Sequence, residues 1–177
     1  IRVPRPLRNP FGYFRWFFFR VDSFSGLTLY TDGSVYEGRW REVQSVGFAI
    51  VAVGGNGGLA KYGLGVPPPW IDSSPAAEAW AVLIARQVSE DNDLHVFTDC
   101  KVVVDLAAAG VGKATSSSCS LARSMCTLAA TVDGDLHRLV STQKLVWMPA
   151  HLQLGNNFRR RKSDGARVSP VDFRANR

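Results

Sequence analysis

A chain of 177 residues with 46% hydrophobic and 20% charged residues can bury one real core, and its composition excludes a disordered or fibrous protein. Three cysteines, Cys100, Cys119 and Cys126, are an odd number without metal-ligand spacing, which points to reduced thiols in an intracellular protein rather than a secreted disulfide scaffold. The net charge of +6 is divided: residues 1–20 and 159–177 hold twelve basic residues against two acids (+10), while 21–158 hold nine against thirteen (−4). Basic ends on a mildly acidic centre suit a polyanionic partner, most simply nucleic acid.

Residues 1–26 combine prolines, five arginines and many aromatics. The run Phe-Arg-Trp-Phe-Phe-Phe-Arg over 14–20 is too short and too often charged to span a bilayer, and no signal-peptide cleavage pattern follows it. Interleaved arginine and aromatic residues can grip single strands, but the simpler reading is an extension that precedes a domain over 27–177. Leu27 to Asp32 alternates as a buried strand that ends in a carboxylate, with Gly33 and Ser34 breaking it. Ser45–Val53 and Leu59–Val66 are two more strands about the Gly54–Gly58 turn, which gives three antiparallel strands in a row.

Ser74 as N-cap and Pro75 at the first helical position open a helix to about Ser89. It is apolar nearly all round, so it is buried, with Glu78 as the one charge of its inner stretch. Leu94–Thr98 is a short buried strand ending at Asp99. Lys101–Ala109 is a helix closed by Gly110, and 112–118 is a Gly/Ser/Thr loop. Helices follow over 121–131 and 133–139, and Lys144–Met148 is the fifth strand. Pro149, Ala150 and His151 come next, then the basic run Arg159, Arg160, Arg161 and Lys162, and Pro170 opens a last helix. The fold class is α/β: a mixed five-stranded sheet, three antiparallel strands then parallel ones, flanked by helices.

That topology makes Asp32 and Asp99 neighbours at one sheet edge, with Glu78 on a helix able to reach them. Converging carboxylates repel and need cations, and hard oxygen ligands suit Mg²⁺ or Mn²⁺. Taken singly, each has a plain explanation: Asp32-Gly33 as a turn, Asp99 as a helix cap, Glu78 in a first turn, His151 as a loop histidine. Their convergence on one edge is what favours a site.

The order Tyr-Thr-Asp-Gly-Ser (30–34), Ala-Glu-Ala-Trp-Ala (77–81), Phe-Thr-Asp-Cys (97–100) and Trp-Met-Pro-Ala-His (147–151) resembles type 1 ribonuclease H, in the style of the domains found in retroelement polyproteins. The resemblance covers 27–177. It implies a metal-dependent endonuclease that cuts the RNA strand of RNA–DNA hybrids with two Mg²⁺ ions (or Mn²⁺). Asp32, Glu78 and Asp99 match the family's metal ligands, and His151 its mobile histidine. Gly33 and Ser34 match the turn that approaches the hybrid, and Asn176 an asparagine ahead of a fourth carboxylate. That fourth position would fall at residue 180, so the sequence reads as a fragment lacking the end of its last helix, and Asp172 is not expected to replace it. The resemblance also implies a monomeric domain, possible fusion to a reverse transcriptase, and no membrane partner. The run Arg159–Lys162 is a candidate duplex contact. The alternative is a catalytically degenerate nucleic-acid-binding domain of the same fold. An integrase-like reading fits less well, because Glu78 lies between the two aspartates rather than last.

Overall fold

The computed structural model describes residues 10–19, 23–36, 45–88, 94–115, 119–150 and 160–175. Three of the expected site residues, His151, Arg159 and Asn176, lie outside the described residues. The strands are β1 (Tyr13–Phe19), β2 (Leu27–Tyr36), β3 (Ser45–Gly54), β4 (Leu59–Val66), β5 (His95–Thr98) and β6 (Leu145–Trp147). The helices are α1 (Ser74–Val88), α2 (Lys101–Ala109), α3 (Val111–Ala114), α4 (Cys119–Ala130), α5 (Leu136–Ser141) and α6 (Pro170–Ala175). Helix α3 occupies part of the stretch expected as a loop.

The strands form one mixed sheet in the order β1-β4-β3-β2-β5-β6. β1, β4, β3 and β2 pair antiparallel, while β2-β5 and β5-β6 pair parallel. β2 is therefore the seam between the two kinds of ladder. The architecture is α/β as expected, but the sheet has six strands rather than five.

The sixth strand, β1, comes from the segment read as a leader, and the reason is side-chain alternation. Phe14 and Trp16 point to the helical side and pack on the main core. The Phe14 ring stacks on Phe48 at 5.7 Å between centroids, and Trp16 leans on Phe24. Gly63 and Gly65 of β4 make this possible: a Cβ at either would overlap the Phe14 or Phe48 ring. Two missing side chains on β4 thus hold two aromatic rings and fix β1 to its edge.

Helix α1 covers the same face. Ala76, Ala77, Ala79, Ala81, Val82, Leu83 and Ala85 are all buried, so small residues bring its backbone close to the sheet. The closest approach is at Gly33, where a Cβ would run into the backbone of Ala77 and Glu78. α1 also packs against α4, and α2 against α5.

The other face carries a smaller core of Tyr30, Val53, Phe97, Val146, Met148, Val168 and Phe173. It is covered by α6 and by a ribbon over 160–168, which turns at Gly165 (φ +82°) and pairs Lys162 N–H with Ala166 O and Val168 N–H with Arg160 O. Ser163 docks the ribbon on β6, donating its N–H to Trp147 O and accepting Trp147 N–H on its hydroxyl. α6 opens with Pro170 and a reciprocal cap. The Ser169 hydroxyl accepts Asp172 N–H, and the Asp172 carboxylate accepts Ser169 N–H. Among the described residues, no helix is long and apolar enough to cross a membrane.

Candidate metal centre

The site forms where β2 outlasts its parallel neighbour. The last rung of the β2-β5 ladder joins Thr31 to Thr98. β5 stops there, whereas β2 continues along β3 to Tyr36, with Asp32 opposite Ala49. Gly33 and Ser34 therefore do not break the strand as expected, because antiparallel pairing with β3 satisfies their backbone. Asp32 and Asp99 each follow a rung threonine, so both carboxylates emerge beside the free end of the parallel ladder. α1, seated on Gly33, brings Glu78 to the same place. One carboxylate oxygen from each of Asp32, Glu78 and Asp99 lies within 4.8 Å of the others.

The three acids differ in environment. Asp32 is exposed, Asp99 half-buried, and Glu78 only 1% exposed. Thr31 and Thr98 each donate a hydroxyl to Glu78 Oε1 at 2.6 Å, while Glu78 Oε2 is buried and accepts no hydrogen bond among the described residues. Burial raises the Glu78 pKa, the two threonine hydroxyls oppose it, and the charges of Asp99 and Asp32 add to it. The result is about 7, against an ordinary 4.5. A buried acceptor without a donor, facing two more carboxylates, is what an oxygen-ligated divalent cation would satisfy.

Backbone ties hold the frame. Ser74 Oγ donates to Gly33 O at 2.7 Å, so this hydroxyl fastens α1 to β2 rather than capping the helix as expected. Trp147 Nε1 donates to Asp99 O at 3.0 Å. The Thr98 hydroxyl also accepts Cys100 N–H at 3.1 Å, which fixes the turn through Asp99. A cleft of about 490 Å³ opens over Asp32 and Asp99, and its lining includes Gly33, Ser34, Asp72 and Ala150.

Of the expected site residues, Asp32, Glu78 and Asp99 converge, and Gly33 and Ser34 line their cleft. Arg160 and Arg161 are exposed on the ribbon. Lys162, unlike them, is folded inward. Its ammonium lies 3.2 Å from Asp172 and 4.4 Å from the centre of the Phe97 ring, with its side chain only 10% exposed. Asp172 in turn accepts the Tyr30 hydroxyl at 2.7 Å. Burial pushes its carboxyl up, but Ser169 N–H, the hydroxyls of Tyr30 and Ser169, and Lys162 together hold it below the usual range. Burial, and then the same contact, hold the Tyr30 phenol well above its ordinary value. Asp172 is thus committed to the smaller core and does not join the triad.

Sequence reasoning missed Thr31, Thr98, Ser74 and Trp147. A signal for the threonines was present: the dipeptide Thr-Asp occurs twice, at 31–32 and 98–99, where the parallel ladder between the two strands ends.

No protein-family model matches this chain, and no curated protein does. Solved structures do. The protease-reverse transcriptase of Prototype Foamy Virus aligns with a TM-score of 0.52 and 14% identity over 97% of this chain and 21% of that one. The PFV RNase H domain in solution aligns with a TM-score of 0.50 and 14% identity over 75% of this chain and 82% of that one. RNase H1 from Halobacterium salinarum NRC-1 aligns with a TM-score of 0.43 and 16% identity over 79% and 90%. The first two show that the chain has the ribonuclease H fold, and it spans about a fifth of the length of the protease-reverse transcriptase.

Proposed function

We propose that this chain of ribonuclease H fold is a metal-dependent endonuclease acting on the RNA strand of RNA–DNA hybrids. The observation that carries the reading is the convergence of Asp32, Glu78 and Asp99 at the end of the parallel ladder, with one buried glutamate oxygen left without a donor. Asp32, Glu78 and Asp99 would hold Mg²⁺ (or Mn²⁺), two ions in the family's manner. Bound there, the cations supply an activated water and a counter-charge for the leaving oxygen of a phosphodiester.

The chain's own residues do the positioning. Thr31 and Thr98 fix one oxygen of Glu78 and thereby orient the other. Trp147 pins the Asp99 backbone and Ser74 pins Gly33, so all three acids sit on elements that cannot drift separately. Gly33 and Ser34 leave the cleft floor open for the sugar-phosphate backbone of the hybrid. His151 and Asn176 are assigned to water or product handling and to duplex contact by resemblance alone. Arg159, Arg160 and Arg161 are assigned to phosphate contacts that carry no sequence information. A working partnership with a reverse transcriptase is proposed on the same footing.

The test is cleavage of a hybrid labelled on its RNA strand, in Mg²⁺ and in Mn²⁺. Cleavage is expected from this chain, and the Asp32→Asn variant, folded and monomeric, should lose more than the roughly 10–100-fold typical of outer-shell changes. Cleavage by Asp32→Asn at the parental rate would reject the assignment. Hybrid binding without turnover in either metal would favour a degenerate binding domain of the same fold.

A further inference from the structure

The arginine-aromatic segment near the N-terminus has no role in the carboxylate site, yet the sheet divides its described side chains between two faces, with the register shifting at Phe17. Phe14 and Trp16 are used by the core. Tyr13, Arg15 and Phe17 face the other way and are exposed: Tyr13 by 59% and Phe17 by 52%. On β4 the same face shows Tyr62 (36%) and Leu64 (48%). Phe17 stacks on Tyr62 with ring planes 11° apart and centroids 6.1 Å apart, and the Arg15 guanidinium sits over Phe17 at 5.6 Å. Two near-parallel rings and a cation on the exposed sheet face form a stacking platform.

This platform connects to the carboxylates by strand register. Arg15 pairs with Leu64, Leu64 with Ala49, and Ala49 with Asp32. These four residues make one row across the open face of the sheet. At about 4.8 Å per strand the row is roughly 14 Å long, the length of about four stacked nucleotides at 3.4 Å each. Charge agrees, for β1, β3 and β4 contain no acidic residue at all. On the far half of the same face, α6 and the ribbon cover β2, β5 and β6.

We infer that the open face of β1 and β4 binds unpaired RNA that continues from the strand held at the carboxylates, with bases stacking on Phe17 and Tyr62 and a phosphate meeting Arg15. The inference rests on the hybrid reading of the cleft, since that reading makes the strand lying over Asp32 the RNA. Stacking tolerates any base, so the face lengthens the grip without reading sequence. Its effect is to favour hybrids whose RNA runs on as a single strand over hybrids with flush ends.

The test compares three fluorescein-labelled hybrids in EDTA, where no metal-dependent cleavage interferes: one with an RNA overhang, one with a DNA overhang and one blunt. The parental chain should bind the RNA-overhang hybrid most tightly. Phe17→Ala with Tyr62→Ala should weaken that complex about tenfold or more while leaving blunt binding unchanged. Phe17→Trp, which keeps a stacking ring, should retain the preference. No overhang preference in the parental chain, equal loss on blunt and overhang hybrids, or equal binding of the DNA overhang would each overturn the inference. Sedimentation of the same samples covers a competing occupant: a dimer that Phe17→Ala and Tyr62→Ala dissociate would assign the face to a second copy of the chain. Absence of cleavage with the overhang preference intact would reject the nuclease reading alone.

Discussion

Glu78 is held by opposing demands. Two threonine hydroxyls bind one of its oxygens and stabilise its charge, while burial and two neighbouring acids oppose that charge. Without a cation the balance favours the proton, and the carboxyl titrates at about 7 instead of 4.5. The folded chain therefore keeps a proton that the unfolded chain releases above 4.5. The stabilising contribution is complete below 4.5 and is lost as pH rises through about 7. The metal-free protein should lose on the order of 3 kcal/mol across that window. Glu78→Gln, which needs no proton to stay neutral, should remove this pH dependence and melt higher than the parent in EDTA at about pH 8. Addition of Mn²⁺ should restore the parent and leave Glu78→Gln nearly unmoved. Thermal melts at several pH values check all three outcomes, and a flat parental profile in EDTA would contradict them.

At the scale of elements, the site depends on how near α1 comes to β2. Gly33 is the contact, since any Cβ there enters the backbone of Ala77 and Glu78. Gly33→Ala should destabilise by roughly 1–3 kcal/mol, the usual cost of overpacking. Because the displaced backbone is that of Glu78, it should also weaken Mn²⁺ binding. Denaturant unfolding and a Mn²⁺ titration read the two effects, and a loss of stability with metal affinity intact would separate Gly33 from the site. These elements were largely legible in the sequence. Alternation marked β2 and β4, an apolar β-branched run marked β3, and a run of alanines with one glutamate marked a buried helix, so Asp32, Glu78 and Asp99 could be placed from the sequence. β1 was not legible. Its arginines and aromatics break the apolar/polar alternation that identifies a half-buried strand, because both of its faces carry rings and only Gly63 and Gly65 on another strand show which rings are inside. The threonines escaped notice for a similar reason: their role depends on Thr31 lying opposite Thr98, a register that one-dimensional spacing does not contain.

Over the whole molecule, the basic ends do not behave as one class. The +10 carried by the two terminal stretches suggested a uniform polyanion contact, but the fold divides it. Arg15 is displayed on the sheet and Arg161 on the ribbon, whereas Lys162 is folded inward against Asp172 and Phe97. Sequence cannot distinguish Lys162 from its arginine neighbours, since the distinction is made by a residue ten positions away on another element. Lys162→Met should therefore cost roughly 3–5 kcal/mol by stranding the buried Asp172 charge, and leave the salt dependence of hybrid binding unchanged. Arg160→Gln with Arg161→Gln should do the reverse, lowering the salt slope by up to about 2 with little effect on stability. Denaturation curves and affinities across a salt series decide it; a reduced slope for Lys162→Met would return that residue to the interface.

The Tyr30–Asp172 hydrogen bond joins residues 142 positions apart, while the bonds that hold Glu78 span 47 and 20. On a chain made from its N-terminus, Asp32, Glu78, Asp99 and both threonines have all been synthesised long before Asp172. Every group of the carboxylate cluster is thus available for assembly while the second face of the sheet still lacks its cover. The two halves of Tyr30's strand belong to different moments of biosynthesis: Thr31 can find its partner early, and Tyr30, one residue before it, must wait for nearly the entire chain.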